Sequence, residues 1–302
     1  MDKVLKKEES YKTDYSIEDG EKEPLELSRI KTSYREFDSR GNVVLDIVYM
    51  EDGSQDRKLV FVRDGDKLLE EKMYIDDDQL SEHKIHEYEG GQLVKTLASY
   101  GDGTKDTIIY AYDDQGNLVS ETTMDEDGEV EEKQVITRDG NGRVTSSKTF
   151  EDGNLDEPVR EQVSAYNQQG QLVEIWEKDY LSDHEEKKTI ERDTGGREKV
   201  VRIYTNGKLM QKNTYVRNEQ GDAEEITEEK PGKRLTIRQV FDDKKQVVEQ
   251  EFLDINGNLI YKINRAFDHQ GNLKESRVQQ GEAFFGGKNM YTITVEHEFY
   301  EG

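Results

Sequence analysis

The string Tyr112-Asp113-Asp114-Gln115-Gly116-Asn117-Leu118-Val119 constrains this chain most, because variants of it return along nearly the whole sequence. Close copies are Phe37-Asp38-Ser39-Arg40-Gly41-Asn42-Val43-Val44, Tyr166-Asn167-Gln168-Gln169-Gly170-Gln171-Leu172-Val173 and Phe267-Asp268-His269-Gln270-Gly271-Asn272-Leu273. An aromatic residue ends one strand, Asp and Gly turn the chain, and an aliphatic pair opens the next strand. Asp bonds its own backbone in a turn and Gly supplies positive φ, so each copy is a hairpin signal.

The turn glycines set the repeat length. Gly41, Gly65, Gly91, Gly116, Gly142, Gly170, Gly196, Gly221 and Gly271 fall on a ladder of roughly 25 residues, with a rung near Lys245 that lacks its glycine. A second ladder of the same period lies between these rungs, at Gly53, Gly103, Gly128, Gly153, Gly207, Gly232 and Gly257. Two turns per repeat leave strands of roughly 8 residues and no room for a crossover helix. The expected fold is all-β, a single continuous antiparallel meander of about 20 strands, curved strongly or wound into a shell or barrel-like spiral. Stagger between strands decides between closure and an open spiral, and the residues leave both possible.

Residues 1–33 fit the repeat poorly and read as an N-terminal cap or tail. Residues 34–280 form the array, and 281–302 a C-terminal loop with a capping strand. Within the array, period-2 alternation places Val43, Leu45, Ile47 and Tyr49 on one face. The same count joins Leu118 to Met124, and Trp176 to Leu172 and Tyr180. The ladder is stretched between Gly153 and Asp183, where Pro158, the sole tryptophan Trp176 and Asp183-His184-Glu185-Glu186 occur. Loops that break a repeat often carry binding residues; a tolerated insertion is the plainer account.

Charge narrows the partners. The formal net charge is −25, which disfavours nucleic acid and anionic membranes and favours a protein with a basic surface. The densest acidic stretch is Asp125, Glu126, Asp127, Glu129, Glu131 and Glu132, around one turn and its exit strand. These six, with Trp176 and the pair Phe284 and Phe285, are the candidate partner-binding residues. The alternative for the acids is a solvated turn that maintains solubility.

Little points to chemistry. The chain has no cysteine. His83 and His86 fall on opposite faces of a strand, and no acidic turn reproduces the ligand spacing of an EF-hand. Neither a nucleophile elbow nor a phosphate loop occurs. The expectation is a protein without catalytic residues, metal or cofactor. No apolar stretch has signal-peptide or membrane-spanning length, so the chain as written is expected in the cytoplasm, or outside the cell if it is a processed fragment.

The aromatic-Asp-x-x-Gly-Asn-Leu string resembles the YD repeats of Rhs-type proteins, at Tyr112–Val119, Phe37–Val44 and Phe267–Leu273. Tyr204-Thr205-Asn206-Gly207-Lys208-Leu209 is similar to the turn units of MORN-type antitoxin repeats. The resemblance spans residues 34–280. It implies an antiparallel sheet wound into a shell that encloses or presents a toxin or adhesive domain, without catalysis of its own. This chain is much shorter than such a shell and shows no appended toxin. The expected function is therefore a stand-alone binder, immunity- or antitoxin-like, of a basic protein. Alternatives are a relative of a toxin shell or surface adhesin, and a carbohydrate-binding module or hydrolase.

Overall fold

A computed structural model describes residues 4–17, 24–76, 78–151, 155–281 and 288–300. Among these residues the chain forms 22 strands and no helix. They run in order as β1 (Leu5–Ile17), β2 (Leu25–Phe37), β3 (Val43–Tyr49), β4 (Gln55–Asp64), β5 (Lys67–Ile75), β6 (Gln79–Glu89), β7 (Gln92–Tyr100) and β8 (Lys105–Tyr112). Next come β9 (Leu118–Met124), β10 (Val130–Arg138), β11 (Val144–Glu151), β12 (Arg160–Tyr166), β13 (Leu172–Asp179), β14 (His184–Arg192) and β15 (Glu198–Thr205). The last are β16 (Lys208–Arg217), β17 (Ala223–Lys230), β18 (Lys233–Phe241), β19 (Val247–Leu253), β20 (Leu259–Phe267), β21 (Leu273–Gln280) and β22 (Lys288–Phe299).

The chain divides into two compact units, residues 1–80 with 215–302, and residues 81–214. In the second unit, strands β6 through β16 pair antiparallel in sequence order. In the first, β17 through β22 do the same, β22 pairs with β1, and β1 to β5 follow in order. Neither terminal strand is left with an open side. Within the first unit the last strand of the chain therefore pairs with the first. Residues 5–17, part of the 1–33 stretch read from sequence as cap or tail, are a strand paired with both β2 and β22. Lys6–Glu298 at 2.5 Å and Arg29–Glu296 at 2.9 Å tie it across the ends of the chain, and the Tyr300 hydroxyl donates to the Phe37 carbonyl at 2.6 Å.

The five-residue turns that begin with Asp or Asn share one internal wiring. In Asp113–Asn117 the Gly116 amide donates to the Asp113 carbonyl, and the Asp113 amide donates to the Asn117 carbonyl, both at 2.9 Å. Asp113 Oδ1 accepts the Gln115 and Asn117 amides at 2.9 and 2.8 Å. Six polar backbone groups, four amides and two carbonyls, are thus satisfied in five residues. Asn167 replaces Asp without loss of the pattern, because its Oδ1 accepts the Gln169 and Gln171 amides at 3.0 and 2.9 Å. Gly41, Gly91, Gly116, Gly142, Gly170, Gly221 and Gly271 all have φ between +77° and +95°. On the rung without glycine, Lys245 holds φ of +65°.

The residue that precedes the turn Asp stitches neighbouring strands. The Tyr112 hydroxyl donates to the Leu93 carbonyl at 2.7 Å and that of Tyr166 to Val144 at 2.8 Å. Where the residue is arginine the guanidinium does the same: Arg192 Nη2 donates to the Leu172 carbonyl at 2.7 Å.

Strand alternation is broken at these turns. Tyr112 pairs with Leu118 but Ala111 pairs with Ser120, so Val119 is an extra residue. Val44 and Val173 are extra in the same way. A bulge of this kind increases local twist and reverses the facing of what precedes it. Val43 is therefore not on the face of Leu45, nor Leu118 on that of Met124, nor Leu172 on that of Trp176. Simple alternation misassigned all three. The buried positions are also smaller and more polar than an apolar row: Thr13, Thr96, Thr227, Ser276 and Thr292 are buried beside Ala98, Ile190, Val201, Leu253, Val278 and Met290.

Candidate functional site

The six acids chosen from sequence divide into two kinds. Asp125 is the acceptor of its own turn, taking the Asp127 and Glu129 amides at 3.0 and 2.8 Å. Glu132 is paired with Arg160 Nη2 at 3.0 Å. The other four, Glu126, Asp127, Glu129 and Glu131, are exposed and make no ion pair among the described residues. Trp176 lies on β13 between Val163 and Lys187, half-buried, three strands away from β10. The structure does not bring it together with the acidic turn. Phe284 and Phe285 lie outside the described residues, as does Gly153.

The same stretch of chain builds an open concavity of about 330 Å³ on β10–β14. Cross-strand register arranges its floor. Arg160 is opposite Thr149 and Asp179, Gln162 is opposite Ser147 and Glu177, and on the next strand Glu186 faces Glu177 and His184 faces Asp179. Directly opposed residues share a face with Cβ atoms roughly 5 Å apart, so Glu177 and Glu186 form a like-charge pair.

Two other opposed acid pairs occur, and each carries its own cation. Glu132 and Glu151 share Arg160, whose Nη2 is 3.0 and 3.5 Å from them. Glu9 and Glu296 are opposed too, with Lys31 at 2.5 Å from the first and Arg29 at 2.9 Å from the second. Glu177 and Glu186 have no such partner among the described residues. Arg160 is engaged as above, and Lys188, two positions from Glu186 and opposite Ile175, shares their face without an ion pair to either carboxylate among the described residues. Asp179 has its carboxyl held below the usual range, chiefly by the Ser182 amide and hydroxyl.

The β13–β14 turn and the segment before β12 expose large apolar side chains. Leu181 is 72% exposed, Leu155 48% and Tyr180 47%. The Tyr180 amide donates to the Val159 carbonyl at 2.8 Å, which lays the β13–β14 turn against the segment that enters β12. The Tyr180 hydroxyl donates to Glu161 Oε2 at 3.0 Å.

Sequence reading found the irregular stretch but not this pair of carboxylates. The signal was present: Asp179 pairs with His184 around the turn, and counting two residues outward puts Glu177 opposite Glu186. As for metals, no group of three His, Asp or Glu among the described residues is placed to hold one. His83 and His86 sit opposite Ser99 and Thr96, on different faces, and His86 Nδ1 lies 2.9 Å from Thr96 Oγ1.

No known protein family matches the chain, and no curated protein matches its sequence. Among solved structures it is similar to the TcdB2-TccC3-Cdc42 crystal structure, with 11% identity and a TM-score of 0.36 over 96% of this chain and 20% of that one. The chain thus spans about a fifth of that protein's length. It is also similar to a porin-like protein from Bacteroides uniformis ATCC 8492, with 11% identity and a TM-score of 0.31, over 96% of this chain and 97% of that one. A third likeness is to the TcdB2-TccC3 crystal structure, with 11% identity and a TM-score of 0.29, over 85% of this chain and 20% of that one.

Proposed function

We propose that this is a non-enzymatic β-repeat protein that binds another protein bearing a basic surface, in the manner of an immunity or antitoxin protein. The observation that carries the reading is the set Glu126, Asp127, Glu129 and Glu131. These four carboxylates project from one turn and its exit strand, exposed and without an internal counter-charge. With a formal net charge of −25 behind them, they attract a basic partner and speed its encounter.

The test is a pull-down from the source cell at low and high salt, with wild type and with these four residues changed to Lys. Asp125 and Glu132 stay unchanged, because the first supports the turn and the second holds Arg160. Screening acts over about 8 Å at physiological ionic strength, so the wild-type partner should be lost at high salt and should be missing with the reversed protein at either salt. Recovery of the same partner by both proteins at both salts refutes the electrostatic reading. A glycan array run in parallel reports the carbohydrate-binding alternative.

A further inference from the structure

We infer that Asn206 is a site of spontaneous covalent modification: it loses its side-chain amide to attack by the Gly207 backbone nitrogen, through a succinimide, ahead of the other Asn-Gly steps in the folded chain. This goes beyond the protein-binding reading and does not depend on it.

Asn-Gly occurs three times, at Asn141-Gly142, Asn206-Gly207 and Asn256-Gly257. In each the glycine has no side chain to shield its nitrogen, so composition does not rank them. Their turns do. Gly142 and Gly257 belong to five-residue turns, and their amides donate to the Asp139 and Asp254 carbonyls at 2.9 and 3.0 Å. The attacking nitrogen has to shed its proton, and in these two turns that means giving up a hydrogen bond first.

Asn206 and Gly207 are instead the two central residues of a hairpin in which Thr205 pairs with Lys208. Their φ values of +47° and +75° are those of a type I′ turn, and both residues are exposed. Among the described residues the Gly207 amide has no acceptor. The carbon to be attacked is prepared as well. The Glu185 amide donates to Asn206 Oδ1 at 2.8 Å, and the Asn206 amide returns a bond to the Glu185 carbonyl at 2.8 Å. A backbone N–H aimed at the oxygen that gains negative charge during attack is the arrangement of an oxyanion hole. No donor among the described residues reaches Oδ1 of Asn141 or Asn256.

As the bond from Gly207 N to Asn206 Cγ forms, the Cγ–Nδ2 bond breaks, and ammonia leaves with the proton that Gly207 gives up. Water then opens the ring at one carbonyl or the other, leaving aspartate or isoaspartate. Isoaspartate routes the backbone through Cγ and adds a methylene to a turn with only two residues between Thr205 and Lys208. Either product brings a carboxylate to the hairpin tip beside Glu185, at the start of β14.

Incubation of the full chain in mildly alkaline buffer, followed by peptide mapping that separates asparagine, aspartate and isoaspartate, tests the inference. In the folded protein Asn206 should convert about fivefold faster than Asn141 and Asn256, the rate equivalent of one neutral hydrogen bond. In denaturing urea the three should convert at similar rates, because each is followed by glycine and the turn bonds are gone. Asn206→Ser lacks the side-chain amide and should remove most of the ammonia that the folded protein releases. Conversion at Asn141 or Asn256 as fast as at Asn206 in the folded protein, or an intact Asn206 when the chain in urea has fully converted, would overturn the inference. Neither result bears on the salt-dependent pull-down.

Discussion

The turn wiring makes Asp268 a sharp test of what holds the array together. Its Oδ1 accepts the Gln270 and Asn272 amides, both at 2.8 Å, and its Oδ2 accepts the Asn272 side-chain amide at 3.0 Å. Burial pushes the carboxyl up, but Asn272 and the turn amides outweigh it and hold the pKa near 2, at about 2 against an ordinary 3.8. Asp268→Ala removes the acceptor for two backbone amides and should cost about 1–2 kcal/mol at pH 7, as the loss of a helix N-cap does. Asp268→Asn keeps an Oδ1, as Asn167 and Asn218 do in equivalent turns, and should cost less.

The two substitutions separate further with pH. One pKa unit corresponds to about 1.36 kcal/mol. For a carboxylate as open to solvent as this one, the two-unit depression is screened to about 1 kcal/mol. The folded pKa lies below the unfolded one, so this stabilisation is fully present above about pH 4 and is lost as pH falls through about 2. Urea midpoints at pH 7, 4 and 2 should therefore show wild type and Asp268→Asn converging between pH 4 and 2. Parallel losses in the two proteins, or an Asp268→Ala variant as stable as wild type at pH 7, would refute the account of the turn.

Two further outcomes can be measured on the same instrument. Gly116 has φ of +82°, so Gly116→Val should destabilise the protein by about 1 kcal/mol or more while Gln115→Ala stays within about 0.5 kcal/mol; equal effects at the two positions would mean the turn is misplaced. Glu121 has its pKa raised, first by burial and then by the charge of Glu132, so its ionised form burdens the folded state above that pKa and not below the unfolded value. Glu121→Gln should raise the urea midpoint at pH 8 and lose that advantage below about pH 4; an advantage that is unchanged at low pH would assign it to something other than charge.

The turns were legible in the sequence because their chemistry is local. The Asp side chain and the turn's own backbone groups satisfy one another within five positions, and no distant contact is needed to identify them. Strand facing was not legible, because it depends on an extra residue in the partner's ladder. Val44, Val119 and Val173 look like ordinary members of an alternating strand, and only the pairing of Phe37, Tyr112 and Tyr166 shows that each is bulged. The pairing of β1 with β22 was hidden for a related reason. Residues 5–17 lack the repeat's turn string, and their partners in β22 are nearly the whole chain away.

The acidic positions show the same limit at the level of function. Counting along the chain collects six neighbouring acids around Gly128, yet Asp125 is consumed by its turn and Glu132 by Arg160. Counting overlooks Glu177 and Glu186, which are nine positions apart in sequence and opposite each other in the sheet. What distinguishes a structural carboxylate from one available to a partner is whether the register delivers a base to it. Arg160 reaches Glu132 and Glu151 from β12; no base among the described residues reaches Glu177 and Glu186. The abundance of acid is explained by solubility; what sets Glu126, Asp127, Glu129 and Glu131 apart from Asp125 and Glu132 is that they are exposed and the register delivers no base to them among the described residues.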